Sequence, residues 1–286
     1  GKPWYEYRPI FITDKRIEGG VEFWKENEAL IAEAAERFGV DPQVIVAIIG
    51  VETNYGGNLG RHRVIDALTT LGFSYPERAD FFRKELEHFL LLSDERRITG
   101  GYRVLDALTT LSFYYPDTGN DRSDFFSREL MEFVLLGSEE ELPLREVEGS
   151  YAGAMGRPQF MPSSFRAYAV DATGDGKRDI WNDWTDVAGS IANYFLEHGW
   201  KCGEEVAVQA SLGDSWQGPV PTPANTLKPG DTVTSLSRKG VLFVTDLPGD
   251  SKSELLTYEG ADGTEHWVGF HNFFVITRYN RNVMYA

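Results

Sequence analysis

One predicted helix constrains the fold of this chain more than any other feature. Residues 41–57 read DPQVIVAIIGVETNYGG, in which Asp41 suits the N-cap and Pro42 the first helical position. The apolar side chains that follow point in all directions around the helix axis, which is typical of a helix buried on every side. The sequence therefore predicts a central helix around which the core is built.

The last turn of this predicted helix carries a carboxylate, Glu52. Burial and the negative end of the helix dipole would both raise the pKa of Glu52. A carboxylic acid that stays protonated near neutral pH suits general-acid catalysis. An exposed Glu52, or a buried Glu52 paired with an arginine for stability, would fit the same residues.

Length and charge exclude several classes of protein. A chain of 286 residues accommodates one large domain or two smaller ones. The net charge of −16 argues against nucleic-acid binding, because phosphate contacts need a basic surface. No apolar run is long enough to predict a transmembrane span, and the single cysteine, Cys202, excludes an intramolecular disulfide. The aromatic content of 13% suits a large core or a sugar-binding groove.

An internal repeat lies between Glu52 and the middle of the chain. RVIDALTTLGFSYP (63–76) returns as RVLDALTTLSFYYP (103–116), and FFRKELEHFLLL (81–92) returns as FFSRELMEFVLL (125–136). The repeat predicts a duplicated helical hairpin, at 61–98 and 101–138. One active site rarely needs both copies, so the matched acids are predicted to be structural. They are Asp66, Asp106, Glu85 and Glu129.

The texture of the sequence changes near Cys202. Residues 1–203 read as a helical body and catalytic core, with a late helix from about Val187 to His198 capped by Asp186. Residues 204–275 are richer in Pro and Gly, and GVLFVTDL and NFFVITRY are predicted to be strands of a small, mostly β subregion. The predicted fold class is α+β, mainly helical.

Two further segments carry groups that suit a binding groove. GSYAGAMGRPQFMPSSF (149–165) has small residues that permit tight turns, and Ser150, Tyr151 and Gln159 offer polar contacts. A tight crossing between helices would explain the small residues equally well. TRYNRNVMY (277–285) brings amide and phenol groups near the end of the chain, although an ordinary strand end would also fit.

The segment DATGDGKRDIWND (171–183) partly matches an EF-hand calcium loop. Asp171, Thr173 and Asp175 fall at positions 1, 3 and 5, and Lys177 would offer its carbonyl at position 7. Position 12 is Asn instead of the usual Glu, so an Asx-rich turn without a metal fits as well. A later acid, Asp183 or Asp186, would complete a Ca²⁺ shell.

Taken together, these segments resemble one family. VIVAIIGVETNYGG, RVIDALTTLGFSYP, SYAGAMGRPQFMPSSFRAYAVDATGDGKRDIWND, SIANYFLEHGW and FFVITRYNRNVMYA are similar to the membrane-bound lytic transglycosylase B family and follow the family's order. The resemblance implies a lysozyme-like fold in which residues 276–286 return to the active site. It also implies that the substrate is the peptidoglycan glycan strand, in the periplasm or cell envelope of a bacterium.

By this resemblance Glu52 is the sole acid/base in a cleavage of the MurNAc–GlcNAc β-1,4 bond that forms 1,6-anhydromuramoyl products, with no cofactor required for the chemistry. The implied sugar-site residues are Ser150, Gln159, Phe160, Tyr279, Asn280 and Tyr285. Tyr151, which follows Ser150 in the same segment, is predicted to join them. The implied ligands of a structural Ca²⁺ are Asp171, Thr173, Asp175, Lys177 through its carbonyl, and Asp186.

The chain departs from the family pattern in three respects. The family has one RV-[IL]-DALTTL hairpin and this chain has two, which puts the substrate subsites in question. Both ends are expected to be trimmed, and no lipid-bearing N-terminal Cys is present to imply membrane attachment. A hydrolytic muramidase of the same fold and a non-catalytic peptidoglycan-binding scaffold are the alternative functions.

Overall fold

The computed structural model describes residues 2–58, 102–103, 123–143, 147–150, 153–216, 218–219, 221–223 and 226–286. These residues form an α+β fold in which helices predominate, as the sequence predicts. The chain divides into two compact units. Residues 1–47 and 192–286 form the first unit, and residues 48–191 form the second, which contains Glu52.

The first unit begins with three helices, α1 (Trp4–Phe11), α2 (Asp14–Glu26) and α3 (Glu28–Phe38). The Thr13 side chain caps α2 by accepting a hydrogen bond from the Arg16 N–H at 3.2 Å. The chain leaves helical geometry at Asn27, whose side-chain amide donates to the Phe23 carbonyl at 2.8 Å. Gly39 ends α3 in the left-handed conformation, with φ 63°.

The helix that carries Glu52, α4 (Pro42–Thr53), begins where the sequence predicts. The prediction that it is buried on every side is wrong, because Gln43 and Ala47 form an exposed stripe one turn apart. Its buried side consists of Ile45, Val46, Ile48, Ile49, Gly50 and Thr53. The predicted capping group is also used elsewhere: the Asp41 carboxylate accepts hydrogen bonds from Trp200 Nε1 at 2.9 Å and the Gly203 N–H at 3.1 Å.

The second unit continues with β1 (Tyr102–Arg103), α5 (Ser123–Glu139), β2 (Glu148–Gly149), α6 (Pro162–Tyr168) and the start of α7 (Trp184–Glu197). Strands β1 and β2 pair in antiparallel fashion. Helix α5 agrees with the helix predicted for the second half of the second repeat copy. The first copy at 61–98 and residues 104–122 lie outside the described residues, and so do Asp66, Asp106 and Glu85.

Helix α7 begins at Trp184, earlier than predicted. The residue that caps it is Asp183, whose Oδ1 accepts hydrogen bonds from the Thr185 N–H at 2.7 Å and the Asp186 N–H at 3.3 Å. The prediction that Asp186 is the cap is therefore wrong. Asp186 lies in the first turn of the helix and is free to bond with another segment.

The sheet of the first unit lies within residues 207–270. This region contains β3 (Ala207–Leu212), β4 (Asp231–Thr232), α8 (Val233–Arg238), β5 (Val241–Leu242), β6 (Lys252–Gly260) and β7 (Gly263–Phe270). The strands pair in antiparallel fashion in the order β4-β6-β7-β3-β5. Leu236 of α8 packs with Val241, Val268 and Phe270 in a small apolar core. The predicted strand in GVLFVTDL is reduced to the two residues of β5.

The segment NFFVITRY is a helix, α9 (His271–Tyr279), and the prediction of a strand there is wrong. Aromatic and β-branched residues favour strands only weakly, and packing decides such short runs. Here the Asn272 side chain donates to the carbonyls of Lys201 at 2.8 Å and Glu204 at 3.0 Å, which fixes the first turn. None of the described helices combines the length and apolar content that crossing a bilayer requires.

Candidate active site

Glu52 lies in the last turn of α4, and its side chain is partly exposed instead of fully buried. The next residues form a left-handed run, with φ 50° at Asn54, 58° at Tyr55 and 80° at Gly56. Non-glycine residues in this conformation store strain and cluster at functional sites. The chain therefore leaves helical geometry two residues after Glu52, whose side chain is partly exposed.

Buried Thr53 holds this turn together. Its hydroxyl donates to the Ile49 carbonyl at 3.2 Å and accepts a hydrogen bond from the Gly56 N–H at 3.1 Å. The Tyr55 ring folds back on Gly50, where an added Cβ would lie 2.6 Å from Tyr55 Oη. A glycine at position 50 is thus needed for the tyrosine to pack there, next to the turn that bears Glu52.

The glycine-rich loop of residues 153–160 is a series of narrow backbone pairs. Gly149 bridges to Met155, and Met155 exchanges hydrogen bonds with Phe160 at 2.7 and 3.0 Å. Gly156 has φ 62°, and an added Cβ would lie 2.7 Å from the Ile180 carbonyl oxygen. These glycines serve tight turns and close backbone approach, as the sequence predicts.

The predicted sugar-site residues of the second unit lie on or beside this loop. Ser150 Oγ accepts a hydrogen bond from the Ala154 N–H at 3.1 Å. Gln159 has a left-handed φ of 54°, and its Nε2 donates to the Gly156 carbonyl at 2.7 Å, which fixes the direction of the side chain. Phe160 is only 2% exposed, so most of its ring supports the loop from inside. Tyr151 lies outside the described residues.

Arg157 was not among the predicted site residues. It joins the glycine-rich loop to the turn after Glu52. Its Nε donates to the Trp181 carbonyl at 2.6 Å, and its guanidinium lies 4.0 Å from the centre of the Trp184 ring. A Cβ added at Gly56 would lie 2.1 Å from Arg157 Nη1 and 3.0 Å from the Trp184 ring, and the positive φ of Gly56 also favours glycine there. Burial lowers the pKa of Arg157 from its ordinary value. One arginine in a glycine-rich loop gives no pattern from which this contact could be predicted.

The remaining predicted sugar-site residues belong to the first unit. The Tyr279 ring stacks on Phe195 at 5.8 Å and 13° and on Tyr285 at 6.5 Å and 5°. Asn280 follows α9 and is exposed. Parallel rings beside an exposed amide suit the apolar faces and polar edges of a sugar. The roles of these three residues stay predictions.

The predicted calcium loop is organised by two carboxylates. Asp186, 1% exposed, accepts hydrogen bonds from the N–H groups of Ala172 at 2.8 Å, Thr173 at 3.1 Å and Asp179 at 2.8 Å. Asp171 accepts from the Gly174 N–H at 2.6 Å and the Gly176 N–H at 2.8 Å. The hydrogen bond from the Gly176 N–H is the main cause that lowers the pKa of Asp171, and the bond from the Gly174 N–H acts in the same direction. Partial burial of the carboxylate opposes this shift.

The donor chemistry of this loop fits a hard cation, since it offers carboxylate, hydroxyl and carbonyl oxygens. Two of these groups also bond within the loop, because the Lys177 N–H donates to Asp175 Oδ1 at 2.9 Å and Thr173 Oγ1 donates to Asp171 Oδ1 at 3.1 Å. Within the described part of the chain, no group of three or more His, Cys, Asp or Glu side chains is gathered closely enough to hold a metal ion. The loop therefore has suitable ligands that already serve its own backbone.

Three comparisons relate the chain to known proteins. The family model described as Transglycosylase SLT domain matches residues 1–99 and 97–286, so the two matches meet between the two repeat copies. The membrane-bound lytic murein transglycosylase B of Escherichia coli strain K12 is 37% identical over 283 residues, which are 99% of this chain and 64% of that protein. The chain thus spans less than two thirds of the length of this relative.

Solved structures agree with this relationship. The crystal structure of soluble lytic transglycosylase SltB1 from Pseudomonas aeruginosa is 42% identical, with a TM-score of 0.78 over 100% of this chain and 80% of that one. The Escherichia coli lytic transglycosylase SLT35 in complex with calcium is 35% identical, with a TM-score of 0.70 over 99% of this chain and 74% of that one. These matches confirm the predicted α+β, lysozyme-like fold class.

Proposed function

The chain belongs to the transglycosylase SLT domain family, and on that premise we propose that it is a peptidoglycan lytic transglycosylase with Glu52 as its single acid/base. The observation that carries the proposal is the position of Glu52, partly exposed at the end of a helix whose buried side anchors it. The strained turn after Glu52 contacts the glycine-rich loop through Arg157, so the carboxylate and this loop belong to one compact unit.

In the proposed reaction, Glu52 donates its proton to the oxygen that links MurNAc to GlcNAc, and the bond from that oxygen to C1 of MurNAc breaks. The 2-acetamido group of MurNAc stabilises the positive charge that develops at C1, as in substrate-assisted glycosidases. This assistance explains how one carboxylate suffices where glycosidases commonly use two.

Glu52, now a carboxylate, then takes the proton from the O6 hydroxyl of the same MurNAc. That oxygen forms a bond with C1 and gives the 1,6-anhydro sugar, so no water is consumed and the acid form of Glu52 is restored. Because O6 and C1 belong to one ring, the step is intramolecular and needs little further loss of freedom. Ser150 and Gln159 are assigned to orient the sugar from the glycine-rich loop.

The chemistry of the substrate defines two further parts of the proposal. Tyr279, Asn280 and Tyr285 are assigned to sugar binding, because parallel rings and amide groups suit a polysaccharide. The acidic charge of the chain does not oppose a glycan, which carries no phosphate backbone. The bacterial cell envelope is the compartment that contains this substrate.

The direct test is the turnover of purified peptidoglycan by Glu52→Gln. We expect soluble products to fall by at least about 10³-fold, because glutamine can neither donate nor accept the proton. Glu36→Gln, on an exposed face of α3, is the matched control and should keep full turnover. A Glu52 variant that retains wild-type turnover would defeat the proposal.

Mass spectrometry of the wild-type products then decides between the two chemistries of this fold. Anhydromuramoyl ends support the proposal, and reducing ends, heavier by one water, would indicate a hydrolytic muramidase. Binding of peptidoglycan with no soluble product from wild type would indicate a scaffold without catalysis.

We also propose that the 171–186 loop binds a structural Ca²⁺ through Asp171, Thr173, Asp175, Asp186 and the Lys177 carbonyl. The bound ion would neutralise the loop's carboxylates and hold the loop rigid. We expect Ca²⁺ to raise the Tm above that in chelator, because a ligand that binds only the folded state stabilises it. An identical Tm in saturating Ca²⁺ and in chelator would exclude the site, and Asp175→Ala should abolish any shift.

A further inference from the structure

The two repeat copies are similar in sequence, but the described contacts show what the second copy does in the fold. Helix α5, the later half of the second copy, packs against α6, which directly follows the glycine-rich loop. Strand β1, at the start of the second copy, pairs with β2, so that Tyr102 lies opposite Gly149, the residue before Ser150. The second copy therefore contacts the segments on both sides of the loop.

The central contact is made by Glu129 of α5, which is 5% exposed. One of its carboxylate oxygens accepts a hydrogen bond from the Ser163 N–H at 3.0 Å, and the other accepts from Ser163 Oγ at 2.7 Å. Ser163 is the second residue of α6 and lies three residues after Phe160, the end of the loop. A buried carboxylate with both oxygens bonded fixes the first turn of α6, and with it the exit of the loop.

Three salt bridges continue this contact to the end of α5 and the residue after it. Arg166 of α6 pairs with Glu132 and with Glu139, the latter at 2.6 Å. Arg178, which lies 4.9 Å from the centre of the buried Phe165 ring, pairs with Glu140. These pairs are partly exposed and contribute little energy each, but they set the register in which α5 meets α6.

A short chain of contacts leads from this anchor to Glu52. Phe160 is hydrogen-bonded to Met155 across the loop, and Arg157 between them packs against Gly56. Gly56 belongs to the left-handed turn that begins two residues after Glu52. Every residue in this chain lies in the second unit. Ser163 is therefore linked to the turn after Glu52 through one short stretch of chain, residues 155–163, and through the approach of Arg157 to Gly56.

The first copy lacks half of the acids that make these contacts. When the two FF-x-x-EL motifs are aligned, Glu85 matches Glu129 and Glu95 matches Glu139. His88 stands in place of Glu132, and Arg96 stands in place of Glu140. A cation at the position of Glu140 would repel Arg178 instead of pairing with it. The acids complementary to Arg166 and Arg178 are therefore complete only in the second copy together with the two residues that follow it, Glu139 and Glu140.

We propose that the second copy, 101–138, is the one that supports catalysis, with Glu129 as a positioning residue that holds the glycine-rich loop against the Glu52 turn. The first copy, 61–98, is not needed for this task. The proposal rests on the proposed transglycosylase function and assigns different roles to the two repeat copies. It predicts that, of the two matched glutamates, only Glu129 is needed for full activity.

The test is the matched pair Glu129→Ala and Glu85→Ala, assayed for release of soluble peptidoglycan fragments well below the Tm. Alanine is used because glutamine could still accept from the Ser163 N–H and donate to Ser163 Oγ. Glu129→Ala should lower kcat by about 10-fold to 10²-fold with little change in KM, because a displaced loop misaligns bound substrate without removing its contacts. Glu85→Ala should stay within about 2-fold of wild type. Equal effects of the two substitutions, or a lower Tm of Glu129→Ala with unchanged kcat, would overturn the proposal.

Milder changes to the same contact separate positioning from loss of folding. Ser163→Ala removes the hydroxyl donor and keeps the N–H, so it should lower kcat less than Glu129→Ala does. Combining both should cost no more than Glu129→Ala alone, because Glu129→Ala already removes both hydrogen bonds to Ser163. Additive losses would show that Glu129 acts by another route.

Exchanging the charges of the two copies provides a second test in the full chain. Glu132→His with Glu140→Arg replaces these two acids by the residues that stand at the matching positions of the first copy. This double substitution should lower kcat. His88→Glu with Arg96→Glu makes the reverse change in the first copy, and should leave kcat unchanged.

The activity of wild type separates the two proposals. Inactive wild type would refute the proposed function itself. If wild type is active but the substitutions in the first copy lower kcat more than those in the second, only the division between the copies is refuted.

Discussion

The loop of residues 171–186 and the sheet of residues 207–270 are each stabilised by a different kind of hydrogen bond. In the loop, carboxylates accept hydrogen bonds from the backbone, with Asp186 and Asp171 each serving several N–H groups. In the sheet, strands β6 and β7 pair in unbroken register from Ser253 opposite Phe270 to Gly260 opposite Gly263. Its apolar side chains belong to two clusters, one with Leu236, Val268 and Phe270 and one with Leu256 and Tyr258.

The difference shows where chemical identity matters in this chain. A ladder uses groups that nearly every residue owns, so many sequences can form it, provided that the core volume is filled. A loop held by one carboxylate depends on that side chain, because no neighbour can supply the same acceptor. We therefore expect the sheet to be sensitive to lost volume and the loops to be sensitive to lost charge.

The largest effect on stability should come from Leu236→Ala in the sheet core. Leu236 is 1% exposed, and its truncation should lower the free energy of unfolding by about 3 kcal/mol through lost burial and a cavity. Urea denaturation measures this loss. The kcat below the unfolding temperature should not change, since none of the predicted site residues belongs to this core.

The control is Val244→Ser, on a side chain that is 86% exposed. It should change stability by less than about 0.5 kcal/mol, because little apolar surface is lost. If the two substitutions cost the same, volume in the sheet core is not what holds this region.

A smaller effect on stability, together with an effect on activity, is expected for Asp186→Asn. The amide nitrogen that replaces one oxygen cannot accept a hydrogen bond, so one buried N–H loses its partner at a cost of about 2 kcal/mol. Thermal denaturation and peptidoglycan turnover measure the two effects. Asp175→Asn is the matched control on the exposed side of the loop and should have a much smaller effect on Tm without Ca²⁺. Equal losses would contradict the anchoring role of Asp186.

The smallest effect is a dependence on pH. Hydrogen bonds lower the pKa of folded Asp171 below its ordinary value of 3.8, so the carboxylate stabilises the fold fully above that pH. This stabilisation is lost as the pH falls through the lower, folded pKa. Without Ca²⁺, the Tm of wild type should therefore fall more steeply below about pH 4 than that of Asp171→Asn. Parallel curves would show that the loop does not depend on this ionisation.

Much of the candidate site could be predicted from local sequence. The end of α4 at Glu52, the glycine turns of the loop and the β character of the residues after 204 follow from helix signals, glycine spacing and composition. The predictions that failed concern residues whose contacts lie elsewhere in the chain. Asp186 was predicted to cap a helix and instead bonds to residues 172, 173 and 179, and NFFVITRY was predicted to be a strand and is helix α9. The boundary predicted at residues 203 and 204 stays a prediction.

The amino-acid sequence by itself determined where the helix bearing Glu52 begins and ends, because caps, prolines and apolar spacing act within a few residues. It also determined that Glu129 has a counterpart in Glu85. Only the tertiary structure decided that Glu129 receives Ser163, that Arg157 packs against Gly56 and that Gln43 and Ala47 face solvent. The two contacts join residues far apart in the chain, and the exposed stripe depends on which neighbours pack against α4. Both depend on distances that only the folded backbone fixes.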